Sequence, residues 1–420
     1  MTVVAVDDTD SRERGMCTTY AARLVAEELR DRGAAVERVL LVRLNPAVEY
    51  KTRGNAALAV HADVDPLVAL EVATRVVGDA AETADPRTNP GVVVAPDSEV
   101  PPVVADFARR ALREHLDRGE AESLAAAHGY ETAAWGNGRG VVGALAAVGA
   151  WAAFEDWTFE RIDYREPDRW GTDRVVDADS VFAAADAEYP VVWDTVDRAA
   201  GELVCVPHTP GPILYGVRGD DPDAVARVAD AIDSEPVHAS ELFVTNQGTD
   251  AHLADAALAD VEDGRAYRVD ATVATGPETR RGGHVFLAVA DGGERLRCAA
   301  FEPTKRFRDR VRALRPGDRV TVCGEVADGT LKLEKFAVRD LDTTERVVPT
   351  CPDCGTSMES AGAGQGYRCR DCDTTEPGKV ERDLDRDLER GWYEVPPRAR
   401  RHVAKPLVRG DWDAPVHPER

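Results

Sequence analysis

Lysine is almost missing from this chain. Six of its 52 cationic residues are lysine and the rest arginine, against 76 aspartates and glutamates, for a formal charge of −24. An acid excess of that size argues against a polyanionic partner. With so little lysine, however, it also fits a surface kept soluble in concentrated salt, where at about 1 M the screening length is only about 3 Å. Net charge therefore does not exclude a nucleic acid, and local basic patches decide. Long apolar runs are absent too. Nothing approaches the roughly 20 residues that a helix needs to cross a bilayer, which excludes a helical membrane span. The first residues run directly into Val3-Val4-Ala5-Val6 and carry no signal-peptide pattern. A cytoplasmic location with no membrane partner is expected. Cysteines number eight, of which Cys17, Cys205, Cys298 and Cys323 are scattered and only Cys351, Cys354, Cys369 and Cys372 form a set. That excludes a disulfide framework and fits a reducing compartment. The nucleotide signatures G-x-x-x-x-G-K-S/T and H-R-D are missing as well.

What is present begins at once. Val3 to Val6 reads as a buried strand, and three carboxylates, Asp7, Asp8 and Asp10, arrive where it ends. Gly15, Thr18 and Thr19 then lead into a helix with Ala21, Leu24, Val25 and Leu29 on its apolar face. Clustered carboxylates suit Mg²⁺, which commonly arrives with a phosphate. A helix start offers free N–H groups to that anion. A capped surface turn is the plainer alternative. Val36 to Leu44 and Ala56 to Val60 read as further strands, and between them Lys51-Thr52-Arg53-Gly54-Asn55 suits phosphate binding. Asp65-Pro66 predicts a capped helix to about Val77, Gly91 to Ala95 a strand, and Pro101 to Leu116 another helix. Strands alternating with helices give an α/β domain. Gly136 to Gly143 contains G-x-G-x-x-G, but no strand is legible in the polar stretch Ala125 to Trp135 before it. The run is therefore read as a glycine loop that lets a ligand or a second backbone approach a helix start, and not as a dinucleotide fingerprint.

An α+β module follows, with a helix capped by Asp221 and Pro222. Its element ends carry polar groups, among them His208 and the run Thr245 to His252. Gly138, Gly140, His208, Asn246 and Asp250 are candidate substrate contacts. His208 taken alone fits a structural histidine better than a catalyst. From Tyr267 to Arg339, five short strands with a helix between the third and fourth give the order of an OB barrel. Such barrels commonly bind single-stranded nucleic acid. Cys351-x-x-Cys354 and Cys369-x-x-Cys372 place four thiolates for a structural Zn²⁺. The tail reverses the charge of the chain with Arg398, Arg400, Arg401, Lys405 and Arg409, and with Lys305 these are candidate RNA contacts. A solvated C-terminal arm is the alternative.

Several of these strings together resemble one family. Val6-Asp7-Asp8-Thr9-Asp10-Ser11, Gly15 to Thr19, Leu44-Asn45-Pro46, Lys51 to Asn55, Gly136 to Gly143, Thr245 to His252, Glu302-Pro303-Thr304-Lys305 and the paired cysteines look like TiaS. These are the archaeal tRNA-isoleucine 2-agmatinylcytidine synthetases, and the resemblance spans nearly the whole chain. It implies a kinase-like α/β domain over 1–134, a ferredoxin-like domain over 135–260, an OB-fold over 263–346, a zinc ribbon over 349–376 and a basic tail over 377–420. It implies a ligase that conjugates agmatine to C2 of the wobble cytidine of an isoleucine tRNA with a CAU anticodon, so that the anticodon reads AUA. ATP would phosphorylate the C2 oxygen, and the amine of agmatine would displace the phosphate. Asp7, Asp8 and Asp10 would hold Mg²⁺, and Thr18 would be a phosphate contact or a transient phosphoacceptor. Lys51 and Arg53 would offset phosphoryl charge. Val141-Val142 departs mildly from the bulkier aliphatics usual there, and the acidic, arginine-rich barrel and tail leave the RNA contacts open. Two alternatives stand beside this: another ATP-dependent RNA-modifying or RNA-ligating enzyme, and a non-catalytic RNA-binding protein built on the barrel and ribbon.

Overall fold

The computed structural model describes residues 1–48 and 54–420. Its largest element is one nine-stranded sheet. In chain order the pieces are β1 (Thr2–Asp7), α1 (Thr18–Asp31), β2 (Ala35–Arg43), β3 (Ala56–Asp63), α2 (Pro66–Ala80), β4 (Gly91–Ala95) and α3 (Pro102–Ala111). Next come α4 (Arg118–Ala127), β5 (Glu131–Ala134), α5 (Gly140–Ala153) and β6 (Thr158–Arg165). Then follow α6 (Ala178–Glu188), β7 (Val192–Trp193), the hairpin β8 (Val196–Asp197) and β9 (Glu202–Leu203), β10 (Ile213–Gly219), α7 (Pro222–Asp230) and β11 (Val237–Thr245). The sheet order is β5-β4-β1-β3-β2-β11-β6-β10-β7. Every neighbouring pair is antiparallel except β2 and β11, which run parallel.

β1 is uniformly apolar because both of its faces are covered. Val4 and Val6 pack under α1 and α2 with Val25, Leu29 and Val72. Val3 and Ala5 face α3 and α5 with Phe107, Leu145 and Val148. The α2 start is as expected: the Asp65 carboxylate accepts the Leu67 and Val68 N–H groups, with Pro66 in the first turn. The stretch before the glycine run differs from expectation. It holds the end of α4 and the edge strand β5, whose residues are mostly exposed and so show no apolar alternation. β5 pairs antiparallel with β4, so no βαβ unit forms and the dinucleotide reading stays excluded.

The second body is the expected closed five-stranded barrel. β12 (Leu253–Asp255) leads into β13 (Ala266–Thr279), β14 (Val285–Asp291), β15 (Glu294–Ala300), α8 (Phe307–Arg312), β16 (Arg319–Ala327) and β17 (Thr330–Asp340). The ladder runs β13-β14-β15-β17, and β16 closes it by pairing with both β13 and β17. Its interior is Val269, Val285, Leu287, Phe307, Val322 and Phe336. A small ribbon follows, with an outer pair β18 (Thr344–Val347) and β22 (Val380–Asp383) around β19 (Glu359–Ser360), β20 (Tyr367–Arg368) and β21 (Thr375–Glu376). The tail returns to the barrel, where β23 (Gly391–Glu394) pairs with β17 and with β24 (Val416–His417). Among the described residues no helix is long and apolar enough to cross a membrane.

Candidate active site

A cavity of about 560 Å³ opens where β1 ends, between the starts of α1 and α5 and the near ends of β2, β6 and β10. Asp7, Asp8, Asp10, Thr18, Gly54, Asn55, Gly140 and His208 line it. Because β1 has antiparallel neighbours, its carboxyl end lies beside the first residue of β4, and Asp7 pairs with Gly91. A side chain on Gly91 would meet the backbone of Val141 at 2.1 Å, and one on Gly140 would meet the Gly91 nitrogen at 2.4 Å. The glycine run therefore does what a close approach of two backbones requires. It brings α5 down onto the sheet.

The acids are packed rather than dangling. Asp8 adopts a left-handed φ of 59° and donates its own N–H to Asp7 Oδ1 at 2.7 Å. Its Oδ2 accepts Arg139 Nε at 2.9 Å and the Asn89 N–H at 3.1 Å. Gly143 is bare because Asp7 lies on it: a Cβ there would stand 1.9 Å from Asp7 Oδ2. Burial, with the charge of Asp8 beside it, pushes the Asp7 carboxyl well above the usual range. Burial also raises Asp8, against the lowering by Arg139. Asp7 and Asp8, held high chiefly by burial, form with Asp10 a donor set that a divalent cation would satisfy, and the hard oxygens suit Mg²⁺.

Facing them, α1 begins at Thr18. Its N-cap Cys17 makes no side-chain cap hydrogen bond, and no acid occupies its first turn. The Thr18 hydroxyl is held at 3.2 Å from the Thr9 hydroxyl and accepts the Thr9 N–H at 3.4 Å, so it is fixed to the acidic loop. The far wall is cationic. Arg218 Nε lies 3.0 Å from Glu160 Oε1, while Arg43 Nε donates to Gln247 at 3.2 Å. Burial brings Arg43 down to about 10 and pushes His402 well below its ordinary value. Arg139, Gly143, Arg43, Glu160, Arg218 and His402 escaped sequence reasoning. Arg43 and Glu160 left no signal there, whereas Arg139 and Gly143 belong to the glycine run, Arg218 to one of the polar element ends and His402 to the basic tail.

The other expected residues are dispersed. Lys51, Thr52 and Arg53 lie outside the described residues. Gly138 sits in the turn before α5, off the cavity wall. Asn246 is fully buried and clasps the main chain of Arg43, accepting its N–H at 2.8 Å and donating to its carbonyl at 3.0 Å. It extends the parallel joint of β2 and β11. Asp250 binds Lys335 Nζ at 2.7 Å and accepts the Lys405 N–H at 2.7 Å. Neither Asn246 nor Asp250 reaches the cavity.

The tail is not a free arm. Arg398 lines the cavity mouth and pairs with Glu202. The Arg400 side chain is only 3% exposed, between Asp194 and Glu394. Arg401 pairs with Glu325 and Glu334, Lys405 stands over the Trp412 ring, and Arg409 pairs with Asp156 and Asp220. Lys305 is tied to Glu302 at 2.6 Å. The positive run in sequence is thus offset in space by acids from distant segments. In the ribbon the Sγ atoms of Cys351, Cys354, Cys369 and Cys372 lie within 4.8 Å of one another. Hydrogen bonds from Thr356 bring the Cys354 thiol down to about 6, and the unit has almost no apolar core beyond Met358 and Tyr367.

Opposed acidic and cationic walls with a hydroxyl between two helix starts suit an enzyme that handles a phosphate chain. Three family models match the chain: the TiaS TCKD domain over 3–65, the TiaS FLD domain over 138–252 and the TiaS C-terminal zinc ribbon domain over 348–388. The 2-agmatinylcytidine synthetase TiaS of Haloquadratum walsbyi, named for the second isoleucine tRNA, is 52% identical over 463 aligned positions that cover all of both chains. A complex of TiaS with that tRNA and ATP superposes with TM-score 0.91 at 40% identity, over 100% of this chain and 99% of the other. A complex of TiaS with the same tRNA, AMPCPP and agmatine does so with TM-score 0.89 at 38% identity and the same coverage. The chain belongs to the TiaS family.

Proposed function

We propose that this protein is an ATP-dependent agmatidine synthetase of the second isoleucine tRNA, conjugating agmatine to C2 of the wobble cytidine in a CAU anticodon. The observation that carries the reading is the meeting of Asp7, Asp8 and Asp10 with Thr18 at the uncapped start of α1, inside a cavity large enough for a nucleotide. Full-length relatives held with this tRNA, with ATP or its analogue and with agmatine support it. Asp7, Asp8 and Asp10 would hold Mg²⁺, which offsets phosphate charge. The N–H groups of the α1 start and the Thr18 hydroxyl receive phosphoryl oxygens, with Lys51, Thr52, Arg53, Gly54 and Asn55 completing the cradle. The γ-phosphoryl group of ATP passes to the cytidine C2 oxygen. The amine lone pair of agmatine then forms the C2–N bond as the C2–O bond breaks, and phosphate leaves with that electron pair.

In this reading residues 1–134 form the kinase-like domain, 135–260 the ferredoxin-like domain, 263–346 an OB-fold, 349–376 a ribbon with structural Zn²⁺, and 377–420 the tail. Gly140 and His208 serve the substrate site directly, and Gly138, Asn246 and Asp250 by shaping the elements around it. Lys305, Arg398, Arg401 and Lys405 are the RNA-facing cations, and the protein works in the cytoplasm. The test incubates protein, unmodified tRNA, ATP, Mg²⁺ and agmatine, then weighs the digested nucleosides. A cytidine heavier by one agmatine less one water is expected. Cytidine of unchanged mass with ATP left intact overturns the reading.

A further inference from the structure

We propose that Arg139 is a positioning residue that sets the orientation of Asp8 for the cation, acting through that carboxylate rather than on the phosphates. This rests on Asp7, Asp8 and Asp10 being cation ligands. Arg139 immediately precedes α5 at a helical φ of −63° and makes no side-chain cap hydrogen bond, so its side chain has no part in closing the helix start. It reaches 131 residues back along the chain to place Nε 2.9 Å from Asp8 Oδ2. A second branch of the same guanidinium is anchored on the Arg87 carbonyl. The Asn89 N–H meets the same Oδ2 at 3.1 Å. Two donors on one oxygen fix the carboxylate plane and leave Oδ1 as the oxygen presented to a ligand. The anchor is itself built. Asn89 Oδ1 accepts the Asn137 N–H at 2.9 Å, and Gly136, at φ 60°, leaves room that a Cβ would deny by standing 2.4 Å from that Oδ1. The glycine run thus delivers Arg139 to one station beside the acidic loop.

A planar guanidinium with two engaged branches holds a direction, which a lysine ammonium on a flexible stem does not, although its charge is the same. Arg139→Lys therefore separates orientation from charge. The measurements are Mn²⁺ affinity by electron paramagnetic resonance, affinity for ATP in EDTA, and thermal melting, on the full chain. Arg139→Lys is expected to weaken Mn²⁺ binding about tenfold, the scale seen when a metal ligand loses its supporting partner. ATP affinity without metal and melting should stay at wild-type values. Arg139→Gln should weaken Mn²⁺ binding in the same way and serves if the lysine finds a substitute geometry. Unchanged Mn²⁺ affinity in both variants overturns the proposal. So does a loss of metal-free ATP affinity, which would make Arg139 a direct phosphate contact. A fall in melting with no selective change in Mn²⁺ binding overturns it as well. If wild-type protein binds no Mn²⁺ that Asp7→Asn abolishes, the underlying reading of the acids fails instead.

Discussion

Replacing Gly143 by alanine sets helix propensity against the geometry of the acidic loop. The residue lies in the first turns of α5, where alanine is favoured over glycine by about 1 kcal/mol. Its new Cβ would stand 1.9 Å from Asp7 Oδ2, 2.7 Å from Asp7 Cγ and 3.1 Å from Leu44 Cδ1. Ordinary contact begins near 3.4 Å, so the carboxylate must retreat by about 1.5 Å. Its hydrogen bond to the Asp8 N–H breaks in the process, at a cost of about 1 kcal/mol. Gain and loss nearly cancel, and stability should stay within about 1 kcal/mol of wild type. Catalysis should not. A misplacement of about 1 Å in a catalytic constellation costs on the order of a hundredfold, or about 2.7 kcal/mol of barrier. Agmatine incorporation at saturating substrates, measured beside chemical denaturation, checks both halves. Gly149 in the same helix is the control: its Cβ would strike the Val104 carbonyl at 2.4 Å, a backbone atom of α3 that cannot rotate aside. Gly149→Ala should therefore lose stability, while the surviving folded fraction keeps its specific turnover. Wild-type turnover in Gly143→Ala, or unfolding like that of Gly149→Ala, would refute the reasoning.

Asp8→Asn should abolish most turnover, and circular dichroism should show the fold intact. Asp7 and Asp8 carry folded pKa values above their unfolded ones, so the native state binds extra protons. The stability they contribute is full below the ordinary carboxylate range and is lost as pH rises through the raised values. Metal-free protein should accordingly lose urea resistance as pH climbs above the ordinary carboxylate range, a loss that Asp7→Asn should shrink. Arg400→Glu would place a third carboxylate against Asp194 and Glu394 with almost no solvent access. A loss of about 3–5 kcal/mol of stability is expected. The readout is denaturation, in contrast with Arg398→Glu, which should fold normally and weaken tRNA binding. Metal analysis should find about one zinc per chain, and Cys354→Ser should lower that content.

What the sequence reveals depends on whether the cause of a feature is local. β1 is legible because its neighbours cover both faces, leaving four apolar residues in a row before the acids. The α2 cap and the paired cysteines are legible because each motif contains its own partners. β5 is not, since an exposed edge strand selects no alternation. The tail misleads for a related reason. Arg398 and Arg400 meet Glu202 and Asp194, each about 200 residues away, so their charge looks unspent along the chain. The site divides the same way. Asp7, Asp8, Asp10 and Thr18 announce themselves within twelve positions, whereas Glu160 and Arg218 join the wall only when β6 and β10 pair. Asn246 reads as a polar group at an element end, and only the structure shows it gripping Arg43.

The one parallel joint of the nine-stranded sheet has a consequence for biosynthesis. β2 carries Val39-Leu40-Leu41-Val42 and finds its outer partner, β11, only when Val244 and Thr245, 204 positions after Leu40 and Leu41, have been made. At roughly 5–20 residues per second, the ribosome leaves that edge uncovered for about 10–40 s. An unpaired apolar edge is a template for association with other chains. Glu37, Arg38 and Arg43 bracket the run with charge, which guards a nascent strand at little expense to the finished one. The same residue that lines the cavity as Arg43 thus shields the half-made protein before there is a cavity to line.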